Sequence, residues 1–393
     1  MFEEKNKKVE KMKRRDKHEM VQFCQELIRT PSPSGQEGEL AKLIKKEMEE
    51  LGYDEVRTDE AGNLIGKING RDKSAPSLAF TAHMDQVAVN SPESWNYKPF
   101  GGEIDDGFVH GRGASDTKGA IATQVYVPKI LDRVEGHHGD VYVALSVLEE
   151  TGGLGTNHLL KNFRADYAVM GEGTGNEIRI GNRGRVLVRL SFQGNSMHSS
   201  SAGPDDIIHY DVAELLLKIR DISMKKGKLG SSSVAPTIYD CDNQGSNITP
   251  SSCEVLLDWR TVETENSEDV MERISELIPE NCQVHLDPLE QKTYTGTTLK
   301  SSHRQTSFYI DPADPFVEKV TSGLERQYNR DIPVTTWDFT TDCGMFIEAG
   351  TKIIGFSPCE EKFAHTSRDR VSIDLMEEAM EGYSRIIETV SDL

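Results

Sequence analysis

Five side chains able to hold a divalent cation, His83, Asp116, Glu150, Glu172 and His365, each stand just past an apolar run or inside a Gly-rich turn. Two adjacent cations need such a set: one imidazole and one terminal carboxylate apiece, and a further carboxylate shared between them. Imidazole plus oxygen donors suits Zn²⁺, with Co²⁺ or Mn²⁺ as substitutes, because no thiolate is recruited to select a softer ion. Glu149 adjoins Glu150 at the end of a strongly apolar run. In an extended chain neighbouring side chains point to opposite sides, so one carboxylate can bind metal while the other faces a reacting water. His83 and Asp85 form an HxD pair that points one way from its own segment.

Each motif alone also has a plainer reading. A surface histidine beside a helix cap would account for His83. An ordinary Asp turn, or a cap on a helix over 118–130, would account for Asp116 in HGRGASDTKGA, although the glycines there let the backbone turn tightly beside a ligand. The placement of the set argues for one shared site. Short apolar runs at 77–81, 141–148, 167–170 and 353–356 read as strands buried on both faces. His83, Glu149, Glu150 and Glu172 lie just beyond the carboxyl ends of such runs, the edge where open α/β sheets bind ligands.

The remaining elements must position that edge. Val21, Cys24, Leu27 and Ile28 share a helical face that stops before TPSPSG, and Ser34 with Glu37 forms a capping-box pattern before a helix through Leu40, Leu43, Ile44, Met48 and Leu51. From Arg185 the period changes: Val186, Val188, Leu190 and Phe192 alternate as in a half-exposed strand. A helix at 207–222, strands around Thr237 and at 255–259, a helix at 270–277 and a strand at 283–286 complete a βαββαβ order, that of a ferredoxin-like sandwich. The expected fold is therefore α/β: a helix-covered mixed-sheet catalytic domain in two parts, 1–182 and 293–393, with an inserted ferredoxin-like α+β lid and dimerisation domain at 183–292.

Composition agrees. A chain of 393 residues is comfortable for two cores. A formal charge of -20 repels phosphate backbones, so nucleic acid is excluded as a partner. No apolar stretch approaches the roughly 20 residues of a membrane span and no apolar signal core opens the chain, so a cytoplasmic location is the expectation. The six cysteines, without CxxC spacing, read as reduced thiols; Cys359, six residues before His365, reads as a small packing residue against the alternative of a nucleophile. The basic run Lys5–Lys17 reads as a solvated helix face, with a docking arm as the alternative.

The words TAHMDQV, GRGASDTKGA, LEETGG, MGEGT and EKFAHTS, in that order, resemble the M20 family of metal-dependent amidohydrolases and peptidases, from about Val21 to the C-terminus. The resemblance implies that His83 and Glu172 hold one metal, Glu150 and His365 the other, and that Asp116 bridges them and precedes a cis peptide bond to Thr117. It implies that Asp85 fixes the His83 ring and that Glu149 is general base on a metal-bridging water. His198 in GNSMHSS would cross to a partner subunit's site, while Asn247 in GSNITP and Arg260 in LLDWR would contact substrate, Arg260 gripping a carboxylate. The plainer readings are a surface-loop His198 and a strand-surface ion pair for Arg260. HTSRDRV departs from the family's commoner HTPDE and puts the loop shape after His365 in question. WNYKPFGGEIDDGFVHGRGASDTKGA and TWDFTTDCG look most like M20 hydrolases linked to selenium metabolism. The implied activity is two-metal hydrolysis of an amide in an N-acyl amino acid or small peptide by a homodimer. A non-catalytic M20-like binding or assembly protein is the alternative; it should have lost a ligand or the base, and this chain keeps all of them. A serine hydrolase lacks support, since no GxSxG occurs.

Overall fold

Residues 2–131, 138–243 and 245–393 are described by the computed structural model, 2–14 by backbone alone. The chain opens with α1 (Phe2–Arg29) and α2 (Gly38–Glu50), then β1 (Glu55–Thr58), β2 (Leu64–Ile68) and β3 (Leu78–His83). After α3 (Gly119–Val125) follow β4 (Val141–Ser146), β5 (Tyr167–Met170) and β6 (Ile178–Asn182). A second group comprises β7 (Gly184–Gln193), α4 (Ile208–Arg220), β8 (Ser233–Cys241), β9 (Ser252–Thr261), α5 (Ser267–Ser275) and β10 (Cys282–Leu286). The chain closes with α6 (Pro315–Tyr328), β11 (Val334–Trp337), β12 (Lys352–Gly355) and α7 (Ile373–Ser391).

The main sheet runs β1-β2-β4-β3-β5-β12-β6 and is extended by the short strand Phe308–Tyr309, with β11 also on β6. Its centre, β4-β3-β5-β12, is parallel, and antiparallel pairs flank it. Continuous apolar runs suit this position because both faces are covered. Phe80, Val143, Val169 and Ile354 join one core with α1, α2, α3, α6 and α7. Their neighbours Ala79, Ala144, Ala168 and Ile353 enter a separate cluster with Leu159, Phe163, Trp337 and Phe346.

The second sheet has the order β8-β9-β7-β10, antiparallel throughout, as a βαββαβ sandwich requires. Val188, Leu190, Val255, Leu257 and Trp259 pack against Val212, Leu215 and Ile219 of α4 and Val270 and Ile274 of α5. Beyond residue 292 the strand Arg304–Gln305 still pairs with β7. The intervening hairpin reaches back to the main sheet's side, where the Tyr294 hydroxyl donates to the Gly62 carbonyl.

Three local expectations are corrected. The capping box does not form: the Ser34 hydroxyl donates to Asp85, and Glu37 Oε1 accepts from the amides of Gly35 and Leu148, so α2 starts at Gly38 without a side-chain cap. The helix expected over 118–130 breaks after Val125 and resumes at Pro128–Leu131, because proline has no amide to donate and pushes its predecessor out of helical geometry. The run expected as strand to Leu148 stops at Ser146, and Leu148 takes a left-handed φ of 57°. Of the basic run, the side chains of residues 5–14 lie outside the described set; Lys17 pairs with Glu377 of α7. Among the described residues no helix is long and apolar enough to cross a membrane.

Candidate metal centre

The parallel strands deliver their donors to one edge. His83 ends β3, Glu149 and Glu150 follow β4, Glu172 follows β5, and the chain after β12 leads to His365. Asp116 comes from the turn before α3, where the Asp116–Thr117 peptide is cis and the Thr117 hydroxyl donates to the His83 carbonyl.

The geometry centres on Asp116. One oxygen, Oδ1, lies 2.9 Å from His83 Nε2; the other, Oδ2, lies 2.9 Å from His365 Nε2. Each imidazole nitrogen also faces a second carboxylate, Glu172 Oε1 at 3.4 Å from His83 and Glu150 Oε1 at 3.1 Å from His365. Two nests of one imidazole and two carboxylates thus share Asp116. The Glu149 carboxylate has its donor atom within 4.8 Å of those of His83 and Glu172.

The tautomer of His83 makes the arrangement informative. Its Nδ1 lies 3.0 Å from the backbone carbonyl of Asp85, which can only accept, so Nδ1 carries the proton. The Asp85 carboxylate is 3.6 Å from that ring nitrogen and is otherwise engaged: it accepts from the amides of Glu149 and Glu150 and from Ser34. Asp85 therefore orients the ring through its main chain and holds the Glu149–Glu150 turn through its side chain. With Nδ1 committed, the Nε2 lone pair of His83 is aimed at carboxylate oxygens, which repel it unless a proton or a metal ion lies between.

The charge balance points the same way. Burial alone would lower the His83 pKa, yet Asp116, Asp85 and Glu172 outweigh it and hold it well above the ordinary imidazole value. Hydrogen bonds to Asp116 and Glu150 push His365 up to about 10. Asp116, which burial would raise, is drawn well below the carboxylate range by His365 and His83. Burial raises Glu149, with Asp342 adding, and raises Glu172 to about 7. Among the described residues no lysine or arginine pairs with Asp116, Glu149, Glu150 or Glu172. An anionic, buried cluster with imidazole and oxygen donors and no fixed cation of its own fits divalent metal ions.

Two buried acids behind the cluster were not singled out by sequence reasoning. Asp369 accepts from the amides of Gly113 and Ser115 and from Arg112, and so ties the loop after His365 to the turn bearing Asp116. Asp342 accepts from the Thr156 hydroxyl at 2.5 Å and sits against Gly153, where a Cβ would come within 2.4 Å of its Oδ1. TWDFTTDCG carried the only hint of Asp342.

The other expected site residues lie on the second sheet and its loops. His198 Nδ1 is 2.8 Å from the Ser200 hydroxyl, and the Ser199 amide donates to the Asn247 carbonyl, so His198 and Asn247 share one loop pair. Arg260 spends two nitrogens on Asp258 of its own strand, and its Nη1 reaches the Thr340 hydroxyl at 3.5 Å, two residues from Asp342. None of the three makes a hydrogen bond or ion pair with the acidic cluster among the described residues.

Known proteins share this architecture. Aminopeptidase PepT from Bacillus cereus superposes with a TM-score of 0.75 at 20% identity, over 95% of this chain and 98% of that one. Bacillus subtilis YXEP, described as a dinuclear metal-binding M20 peptidase, gives 0.73 at 14% identity, over 96% and 99%. In sequence, the uncharacterized protein YgeY of Escherichia coli K12 is 26% identical over 365 residues, 90% of this chain and 89% of that protein. Succinyl-diaminopimelate desuccinylase 2 of Ruegeria sp. TM1040 is 27% identical over 338 residues, 82% and 83% of the two chains. The family model of peptidases M20/M25/M40 matches residues 79–389, most of the chain and every one of the five donors, so the protein belongs to that family and is a metal-dependent amidohydrolase.

Proposed function

We propose that the protein hydrolyses an amide bond in an N-acyl amino acid or small peptide with two divalent cations, Zn²⁺ first and Co²⁺ or Mn²⁺ as substitutes. His83, Asp116 and Glu172 would hold one cation, and His365, Asp116 and Glu150 the other. The observation that carries the reading is the division of Asp116, one oxygen to each imidazole. Cations held by these residues would supply an acidified water and a polarised scissile carbonyl. Glu149 takes the proton of the attacking water and delivers it to the leaving amine. Asp85 keeps the His83 ring and the Glu149–Glu150 turn in register.

Residues 183–292 act in this reading as lid and dimerisation domain of a cytoplasmic homodimer. Edge strand β8 and the adjoining α4 expose Ile238 at 52%, Tyr239 at 50%, Tyr210 at 55% and Leu217 at 52%, an apolar surface suited to a second copy. His198 would then serve the partner's centre as an oxyanion donor, with Asn247 and Arg260 contacting substrate. Curated relatives named as desuccinylases and structural neighbours named as peptidases mark the two substrate classes in play.

The test is amine release from N-acetyl, N-succinyl and N-carbamoyl amino acids and from dipeptides, using metal-stripped protein refilled with Zn²⁺, Co²⁺ or Mn²⁺. Metal-dependent turnover of one class is expected. Glu149→Gln should keep two metals and lose turnover by at least about 100-fold; near-normal turnover would remove Glu149 from its role and leave the metal assignment standing.

A further inference from the structure

A second group of metal-binding side chains lies on the other sheet, built from donors of a different kind. Cys241 closes β8 and Cys253 stands directly opposite it on β9, with their sulfurs 2.7 Å apart. His209, in the first turn of α4, brings its Nδ1 to 4.0 Å from Cys253 Sγ, and all three donor atoms fall within 4.8 Å of one another. The Tyr239 hydroxyl contacts His209 Nδ1 and lies 3.8 Å from Cys253 Sγ. Three elements thus converge two sulfurs and an imidazole beside a hydroxyl.

We propose that His209, Cys241 and Cys253 form a thiolate-rich metal site that takes one Zn²⁺ ion and clamps the base of the β8–β9 hairpin. Two thiolates with one imidazole form a soft donor set that favours Zn²⁺ over hard ions and leaves a fourth position for water or the Tyr239 hydroxyl. Binding releases the two thiol protons to solvent. The clamp has a structural consequence. The loop between the two cysteines contains Asn247, whose carbonyl accepts from Ser199, and Ile248, which bridges to His198. An ion at the base of the hairpin therefore holds both loops.

Co²⁺ is the probe, used on the full-length protein after metal removal under reducing conditions. Thiolate ligation gives a sulfur-to-cobalt charge-transfer band that the imidazole–carboxylate centre cannot produce. The expected result is one such cobalt per chain in the wild type, loss of the band with one metal fewer in Cys241→Ser and Cys253→Ser, weaker binding in His209→Ala, and an unchanged band in Glu150→Gln. Cys241 is the less buried of the pair, so Cys241→Ser decides if Cys253→Ser does not fold. No band at saturating Co²⁺, or a band unaffected by both serine variants, overturns the proposal. So does purified protein with two fewer titratable thiols than its six cysteines and a mass lower by two hydrogens, which would make the pair a disulfide.

Discussion

Asp369 is buried behind the turn that carries Asp116, where two backbone amides and Arg112 converge on its carboxylate. Removing it would leave Arg112 without its ion-pair partner and let the Asp116 turn relax. Asp369→Ala should therefore cost about 3–5 kcal/mol of stability and weaken metal affinity by about 10–100-fold, read by urea unfolding and by chelator competition. A variant that binds metal as the wild type does would reduce Asp369 to a purely structural acid. That His83, Asp116, Glu149, Glu150, Glu172 and His365 converge was legible in the sequence because each follows an apolar run or sits among glycines. The acids that hold them in place were not, because their partners are remote: Asp369 meets an amide 254 positions away and Asp342 a hydroxyl 186 away. Ser34 misled for a related reason, since its hydroxyl satisfies Asp85 across 51 positions and is not spent on the nearby helix.

Strand β3 shows what an element contributes beyond its last residue. Phe80 faces the core shared with the helices and packs at a tilt against Tyr383 of α7, with ring centroids 4.7 Å apart, while Ala79 faces the separate cluster on the other side. Phe80→Ala should cost about 3–5 kcal/mol, whereas Glu49→Ala, on the exposed side of α2, should stay within about 0.5 kcal/mol; denaturant midpoints check both. The turn after Glu150 is similarly constrained. Gly153 has φ +70° and no room for a Cβ beside Asp342, so Gly153→Ala should cost more than about 2 kcal/mol, from the left-handed backbone and the displaced acid together. Apolar periodicity revealed the strands and helices; it could not reveal where Leu148 leaves extended geometry, because a buried leucine reads alike in strand and turn. The Cys241–Cys253 pair was equally hidden, since cross-strand register brings it together and no short spacing announces it.

At the scale of the molecule, charge and assembly dominate. The chain carries a net -20 and gathers carboxylates at one buried edge, so bound cations should stabilise it by mass action. Stripping metal should lower the unfolding midpoint, and refilling at about a thousandfold above Kd should restore about 4 kcal/mol, measured by thermal scans with and without chelator. If His198 serves a partner's centre, Ile238→Asp on edge strand β8 should give monomers that keep their metal and lose turnover by about 100-fold; sedimentation and kcat decide, and an active monomer would confine His198 to its own loop. The two-sheet plan was readable from the change of period at Arg185, but the return strand Arg304–Gln305 was too short to carry a period of its own. One consequence of the sheet order concerns biogenesis. β12, an inner strand between β5 and β6, is made only after the whole inserted sheet, and the ribosome, adding about 5–20 residues per second, delivers His365 some tens of seconds after His83. A nascent chain can thus fold its second sheet while the first still has a gap, and any product truncated before β12 keeps His83, Asp116, Glu150 and Glu172 but has no His365 to complete the second group.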